Sequence, residues 1–278
     1  MDQSVAIVTG GLRGRGRAMA FGLASAGHDV VAVGHIDADV AEIGAAAAGS
    51  NLAGHILSLV ADLRRPAECD RVVAMTKECF GEPQILVNNA GLTFTTIDPA
   101  RFRRAEPQKF WQVPDDIVHA VIETNYIAAD QMARRVAPRM VEAGWGRIVN
   151  VTTKLDTMNR AHTSPYGASK AALEMATEVW SKEVEGTGLT INIVNPGAGA
   201  NTPGMAEEMR TMSREGRAAR LVEPDEMVPP LLYVVSREAD GVNGWRFDAN
   251  LWDTALPPAE AAHRAGRPAG FEMHPQRA

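Results

Sequence analysis

An α/β fold is the class this sequence predicts, and three observations carry it. Seven short apolar runs, at residues 5–9, 29–34, 54–61, 84–87, 148–151, 189–195 and 243–249, alternate with longer helical stretches. The first run passes through a glycine-rich turn straight into a helical pattern. A hydrophobic content of 45% over 278 residues supports one large buried core, and no internal repeat or inter-domain linker divides the chain.

The first strand, Val5 to Thr9, runs into Gly10-Gly11-Leu12-Arg13-Gly14-Arg15-Gly16 and then a helix over residues 18–26. Glycines there let backbone approach a pyrophosphate, and the helix start offers free N–H groups at a positive dipole end. A flexible surface turn is the plainer reading of the same residues. At the end of the second strand an acidic residue would bind the ribose 2′-hydroxyl of NAD. Gly34 and His35 stand there instead, with no carboxylate before Asp37, and Arg13 offers a cation to a 2′-phosphate. NADP(H) is therefore favoured over NAD(H). Asp37 and Asp39 either reverse that choice or cap the next helix.

That helix, residues 38–48, is weakened by Gly44. The third strand ends at Asp62-Leu63, where the carboxylate either accepts from an adenine amino group or caps the helix over residues 66–80. The fourth strand ends in Asn88-Asn89-Ala90-Gly91, small residues that let a cofactor pack closely at a strand end; the asparagines also suit an ordinary turn. Residues 92–114 form a long irregular connection with Phe94, Phe102, Phe110, Trp111 and a cluster of basic side chains. Loops of that length are often functional, although a subunit contact or surface excursion fits too. A helix over residues 115–143 follows, with Asn125 near its middle. Asparagine is a poor interior helix residue. It either serves a helix break that binds a water or a lysine, or is a satisfied core side chain.

The fifth strand delivers Thr152 and Thr153 to a polar loop that leads to Tyr166, Lys170 and a helix over residues 168–184. Tyr166 and Lys170 are four residues apart, so a helix puts both on one face. A phenol is a poor base at neutral pH, and a neighbouring ammonium favours its ionised form. Such a tyrosine passes a proton to or from an alcohol oxygen, which a hydroxyl from Thr153 would hold. Alone, the Tyr-x-x-x-Lys spacing better suits a surface tyrosine and a solvated lysine; its place after a buried strand reverses that. The sixth strand ends in Pro196-Gly197, with Thr202-Pro203-Gly204 five residues on. Residues 205–220 read as a mobile lid over the strand ends; Met205, Met209 and Met212 equally suit the buried stripe of a docking helix. A helix over residues 224–235 and the seventh strand complete a catalytic domain at residues 1–256. Residues 257–278, with four prolines, are expected to form a surface tail or an arm onto a neighbour.

A net charge of −6 argues against nucleic-acid and anionic-membrane partners. No apolar run is long enough to span a bilayer, and the N-terminus lacks the basic region of a signal peptide. Cys69 and Cys79 make no ligand set, the seven histidines show no metal-binding spacing, and a reduced, cytoplasmic setting is the default.

Taken in sequence, Thr9-Gly10-x-x-x-Gly14-x-Gly16, Asp62, Asn88-Asn89-Ala90-Gly91, Asn125, Tyr166-x-x-x-Lys170 and Pro196-Gly197 resemble the short-chain dehydrogenase/reductase family in its shorter, single-domain form, over residues 4–250. The resemblance implies a Rossmann-like, doubly wound, seven-stranded parallel sheet with helices on both faces. It also implies a nicotinamide cofactor, a small-molecule carbonyl or alcohol substrate, tyrosine-driven hydride transfer, and a homo-dimer or homo-tetramer. Carried over, Tyr166 is the general acid/base, Lys170 binds the nicotinamide ribose, and Asn125 anchors the water of a proton relay. Gly10, Arg13, Gly14 and Gly16 cradle the pyrophosphate, with Gly11, Leu12 and His35 among the cofactor contacts. Asp62 and Leu63 flank adenine, Asn89 the adjacent ribose beside Ala90 and Gly91, and Pro196, Gly197 and Thr202 wall the nicotinamide. No metal is implied.

Two departures stand out. The family's serine, thirteen residues before the tyrosine, is Thr153 here, which keeps the hydroxyl but adds a methyl group and stiffens χ1. Thr152, one residue earlier on a strand, points the other way. The family's threonine after Pro-Gly comes one position sooner than Thr202, and the connection over residues 92–114 is longer than usual. The leading expectation is an NADP(H)-dependent oxidoreductase acting on a secondary alcohol or ketone with an apolar body. The alternative is a dinucleotide-binding sensor or assembly protein with little turnover. Enoyl reduction is disfavoured, because those members space Tyr and Lys more widely.

Overall fold

The computed structural model describes residues 3–101 and 103–271. β1 (Val5–Thr9), β2 (Asp29–Gly34), β3 (Ile56–Val60), β4 (Ile85–Asn88), β5 (Gly146–Asn150), β6 (Leu189–Asn195) and β7 (Trp245–Asp248) run parallel. β8 (Gly266–Pro268) lies antiparallel to β7, and the sheet order is β3-β2-β1-β4-β5-β6-β7-β8. The seven expected parallel strands are present, and the eighth is an addition.

The pleat of each strand sorts its side chains onto two faces. Ala6, Val8, Val30, Ala32 and Val149 meet Met19 and Leu23 of α1 (Gly14–Ser25) on one side. Ile7, Val31, Val33, Leu86 and Ile148 face the other, against Val72 of α3 (Pro66–Cys79). Both layers are fully apolar at these positions, which is why the strands read as continuous hydrophobic runs rather than as alternating ones. α2 (Asp37–Ala48) follows β2, and a one-turn α4 (Phe94–Ile97) follows β4.

The single helix expected over residues 115–143 is interrupted. α5 (Asp115–Ile122) and α6 (Ala128–Glu142) are joined by a wide π turn, Glu123–Ile127, that contains Asn125. Met132, Val136 and Met140 of α6 pack on the second face of the sheet. A one-turn α7 (Leu155–Met158) precedes α8 (Tyr166–Glu183), and α9 (Glu207–Arg214) is the only helix within the expected lid. Met205, Met209 and Met212 are half-buried, so they form no docked stripe. α10 (Val228–Val235) adds Leu231 and Val234 to the first face.

The segment expected as a tail from residue 257 begins instead as part of the sheet layer. α11 (Pro258–Ala265) buries Ala261, Ala262 and Ala265, and β8 then extends the sheet edge. The pattern was illegible because the strand is three residues long and ends in proline. Residues 272–278 of that segment, and Phe102 in the long connection, lie outside the described residues. Among the described residues no helix is long and apolar enough to cross a membrane.

What positions the site is the strand order. From β1 the chain goes outward to β2 and β3, then returns so that β4 pairs on the other side of β1. Loops after β1 and β4 therefore leave toward opposite faces, and a crevice opens outside the strand ends. Thr9 stitches its two sides together: Asn89 and Ala90 donate backbone N–H groups to its Oγ1, each at 3.0 Å.

Phe247 is 1% exposed and lies in ring contact with Tyr233 and Trp252 at centroid distances of 6.1 and 6.3 Å. Phe247→Ala should lower unfolding free energy by about 3–5 kcal/mol in chemical denaturation. A loss under about 1 kcal/mol would mean that α10, α11 and β7 do not share one packed core.

Candidate active site

β1 ends where Gly10 turns with φ of 64°, a conformation that L side chains rarely adopt. A Cβ on Gly16 would stand 1.9 Å from the Gly10 carbonyl oxygen, so only glycine lets α1 begin against the turn. Arg13 is the N-cap of α1, with no side-chain cap and no acidic residue in the first turn. The free N–H groups and positive dipole end at this turn have no counter-charge of their own.

The crevice encloses about 590 Å³. Gly10, Leu12, Arg13, Gly14 and Gly16 line it along the first turn, His35 at the end of β2, and Asp62 and Leu63 after β3. Asn89, Ala90 and Gly91 line it after β4, and Thr202, Pro203 and Gly204 after β6. Thr93 and Thr95 donate hydroxyl hydrogen bonds to the Gly204 carbonyl at 3.0 and 2.8 Å, tying those last two segments together across the crevice. Five expected contacts do not line it: Tyr166 and Lys170, and also Gly11, Pro196 and Gly197. Gly11 packs against Ala32, Pro196 is buried, and the Gly197 N–H donates to Asn195 Oδ1 at 2.8 Å. A cavity of about 650 Å³ at the opposite ends of the strands, between Trp145, Tyr233 and Trp252, contains none of the expected residues.

At the β2 end, the Arg13 guanidinium lies 3.6 Å from the Asp39 carboxylate. Neither Asp37 nor Asp39 caps α2, whose N-cap is Ile36 without a side-chain hydrogen bond. Asp62 does not cap α3 either. It accepts from the Arg64 N–H at 3.2 Å and from Arg64 Nε and Nη2, both at 2.8 Å, and that guanidinium holds its carboxyl below the usual range. Asn89 Nδ2 donates to Thr9 O at 3.0 Å and Gly10 O at 3.2 Å, so its amide braces the glycine turn.

Next to Gly91 and Thr124, which line the crevice, the π turn and α8 bring Asn125, Tyr166 and Lys170 together. Asn125 is fully buried; its Oδ1 accepts from the Leu92 N–H at 2.7 Å, and its Nδ2 donates to Leu92 O at 3.1 Å and Ser169 Oγ at 2.9 Å. Of the two readings, the side chain is the satisfied one, and it sits at the helix break. Lys170 is buried and donates to Val151 O at 2.8 Å. A Cβ on Gly91 would lie 3.2 Å from Asn125 Oδ1 and 3.4 Å from Lys170 Nζ, so glycine keeps the crevice open to both. Those features, with the glycine cradle at the helix start, fit an extended dinucleotide. One turn before Lys170, Tyr166 packs its ring 4.6 Å from that of Phe94, and its hydroxyl has no hydrogen-bond partner among the described residues. Thr153 is half-buried with its hydroxyl likewise unpartnered, whereas Thr152 is buried and donates to Glu174 Oε2 at 2.9 Å. The two threonines point opposite ways, as expected.

Two arginines escaped sequence reasoning. Arg15, between Gly14 and Gly16, turns its charge toward Tyr166 and Lys170, and no hydrogen bond or ion pair holds its guanidinium among the described residues. The signal was available: a long cation inside a glycine turn has little room except over the crevice. Arg246 reaches the carbonyl of Thr153 from β7 at 2.7 Å, and nothing in a strand pattern announces that. The long connection contributes less than expected. Phe94 joins the site, but Phe110 and Trp111 are 68% and 69% exposed. Arg101 caps Phe94, its guanidinium 4.3 Å from the ring centroid, and donates to His162 O at 2.6 Å. Among the described residues no group of three or more His, Cys, Asp or Glu could hold a metal ion.

Comparison with known proteins places this arrangement. The sequence model for short chain dehydrogenase matches residues 4–213. A short-chain type dehydrogenase/reductase from Picea abies is 30% identical over 248 residues, covering 86% of this chain and 88% of the relative. The 3-oxoacyl-[acyl-carrier-protein] reductase FabG of Escherichia coli is 28% identical over 252 residues, covering 90% and 96%. A crystal structure of a substituted actinorhodin polyketide ketoreductase with NADPH superposes with a TM-score of 0.72 at 25% identity, covering 87% and 94%.

Burial, and then the Arg15 cation, push the Lys170 ammonium down to about 7 from an ordinary 10.5. Between those values the unfolded chain holds a proton that the folded chain has released, so this group's contribution to stability rises with pH across that window. Lys170→Met should therefore gain stability relative to wild type near pH 7, and the gain should narrow toward pH 9.5. A difference in unfolding free energy that stays flat over that range would contradict the buried charge.

Proposed function

Because the chain belongs to the short-chain dehydrogenase family, we propose that it is an NADP(H)-dependent oxidoreductase interconverting a secondary alcohol and a ketone, with Tyr166 as general acid and base. One observation carries the reading: a phenol with an unpartnered hydroxyl stands one helical turn from a buried ammonium, and that ammonium lies beside Gly91, which lines the crevice. When bound, the nicotinamide supplies or accepts the hydride at its C4.

The remaining roles belong to the chain. In the reducing direction Tyr166 gives its phenolic proton to the carbonyl oxygen, and Thr153 donates a hydrogen bond to that oxygen. Stabilising the charge that builds there is the principal catalytic effect. Lys170, as an ammonium, balances the negative charge left on the phenolic oxygen and binds the nicotinamide ribose. Asn125 holds the helix break at which a water relays protons to Lys170. Gly10, Arg13, Gly14 and Gly16 hold the pyrophosphate, with Arg15 adding positive charge over it. Phe94, whose ring packs at a tilt against that of Tyr166, offers an apolar wall to the substrate's body.

The 3-oxoacyl reductase supports carbonyl chemistry, and the ketoreductase solved with NADPH supports both that chemistry and the phosphorylated cofactor. Arg13 is the cation for the 2′-phosphate, and Asp39 beside it opposes that charge. The family resemblance further supports a homo-dimer or homo-tetramer, and the composition a cytoplasmic setting.

NADPH consumption over a panel of ketones and aldehydes tests the activity, and binding without consumption by any of them would favour the sensor reading. Tyr166→Phe should lower kcat by at least ~10²-fold while cofactor affinity holds. Wild-type kinetics in that variant would remove Tyr166 from the mechanism. Arg13→Leu should weaken NADPH binding by about tenfold more than it weakens NADH binding. Equal losses for the two cofactors would take Arg13 away from the 2′-phosphate.

A further inference from the structure

Arg246 is 1% exposed, on β7, and its fork is fully engaged. Nη1 donates to Glu174 Oε2 at 2.6 Å and to Thr152 Oγ1 at 3.1 Å; Nη2 donates to Thr153 O at 2.7 Å; Nε donates to Asp248 Oδ1 at 3.1 Å. Thr152 Oγ1 donates in turn to the same Glu174 oxygen at 2.9 Å, so guanidinium, hydroxyl and carboxylate close a triangle. Glu174 is fully buried on α8, one turn past Lys170 and two past Tyr166. The guanidinium thus grips the helix that carries Tyr166 and Lys170 with one nitrogen, and the peptide that carries Thr153 with the other.

We propose that Arg246 is a positioning residue, which fixes the Thr153 peptide relative to α8 and so aims the Thr153 hydroxyl at the oxygen that Tyr166 protonates. The inference rests on the reading that Thr153 and Tyr166 share a substrate oxygen. Geometry supports it over a merely structural role. A guanidinium is planar with donors in a fixed fork, so two acceptors bound to different nitrogens are held in a set relation. A buried ion pair is often no more stabilising than apolar residues of similar volume, so the arrangement the pair imposes explains it better than stability does. Arg267 of β8 lies 3.7 Å from the other Glu174 oxygen, which brings the added strand into the same charge set. Burial raises the Glu174 carboxyl, and Arg246 opposes that rise.

Arg246→Lys keeps a cation opposite Glu174 but cannot fork to Thr153 as well. Glu174→Met with Arg246→Met removes both charges and serves if the lysine variant does not fold. Each is made alone and with Thr153→Ala. The full-length protein is then followed by amide exchange over residues 151–158, by cofactor affinity, and by kcat and KM with NADPH and the best ketone of the panel. The expected outcome is amide exchange over residues 151–158 faster by ~10-fold or more while residues 171–183 keep their protection. Turnover should fall by ~30-fold through kcat, with cofactor affinity unchanged, as for a lost charge-assisted hydrogen bond. In the Thr153→Ala background the same substitution should lower kcat by less than ~3-fold, because the group it positions is gone. Equal losses in the two backgrounds, or unchanged exchange over residues 151–158, overturn the proposal. If Thr153→Ala alone keeps wild-type turnover, the shared-oxygen reading fails first and the positioning role falls with it. If Thr153→Ala is impaired but Arg246→Lys is not, only the positioning role falls.

Discussion

An ammonium taken out of water organises this molecule. Lys170 is buried, a single carbonyl accepts from it, and the charge that acts on it is another cation, Arg15. Burial without a carboxylate partner disfavours the charged form. The structure tolerates it because the surrounding backbone is shaped for it: β5 ends so that the Val151 carbonyl faces the amine, and the π turn sets Asn125 beside Gly91. Arg15 and the uncapped start of α1 both bring positive charge to the groove, the electrostatics that suit an anion.

Beneath that charge runs a polar network that keeps strands and helix in register. Asn88 Nδ2 donates to Asn150 Oδ1 at 2.9 Å and to Ala129 O at 3.3 Å, and Asn150 Nδ2 donates to Thr177 Oγ1 at 2.8 Å. Neighbouring strands β4 and β5 are thereby pinned to α6 and α8 through side chains with almost no exposure. Connected buried networks of this kind favour one arrangement over near alternatives, since breaking a link leaves a polar group unpaired, as Asn88 Oδ1 already is here. Since β5 leads to Thr153 and α8 carries Tyr166, the network sets the separation of the two candidate groups before any ligand arrives.

The parts legible in the sequence were those encoded by local pattern. Short apolar runs fixed the seven parallel strands, because strands covered on both faces have no polar alternation to blur them. The four-residue spacing of Tyr166 and Lys170 placed both on one helix face, and the glycine turn placed the crevice. The asparagine in mid-helix marked a break, although the form of that break, a wide turn, depends on partners at Leu92 and Ser169 that are distant in the chain. What stayed hidden was decided by tertiary partners. Arg246 reads as an ordinary strand residue until Glu174 and Thr153 are brought to it. Asp62 is no helix cap, because the N-cap of α3 falls on Arg65 and the carboxylate is engaged by its near neighbour Arg64. Exposed Phe110 and Trp111 show why composition overstated the aromatic lining: a connection can be rich in rings and still turn them outward.

The antiparallel eighth strand has a consequence for how the molecule behaves in a crowded solution. A parallel sheet that stopped at β7 would present a ladder of unused donors and acceptors to any other extended chain. β8 covers that border with three residues, and its last, Pro268, has no N–H to offer onward. The border is thereby left blunt, short and poorly adhesive, which makes runaway strand-by-strand association from this side of the protein unfavourable.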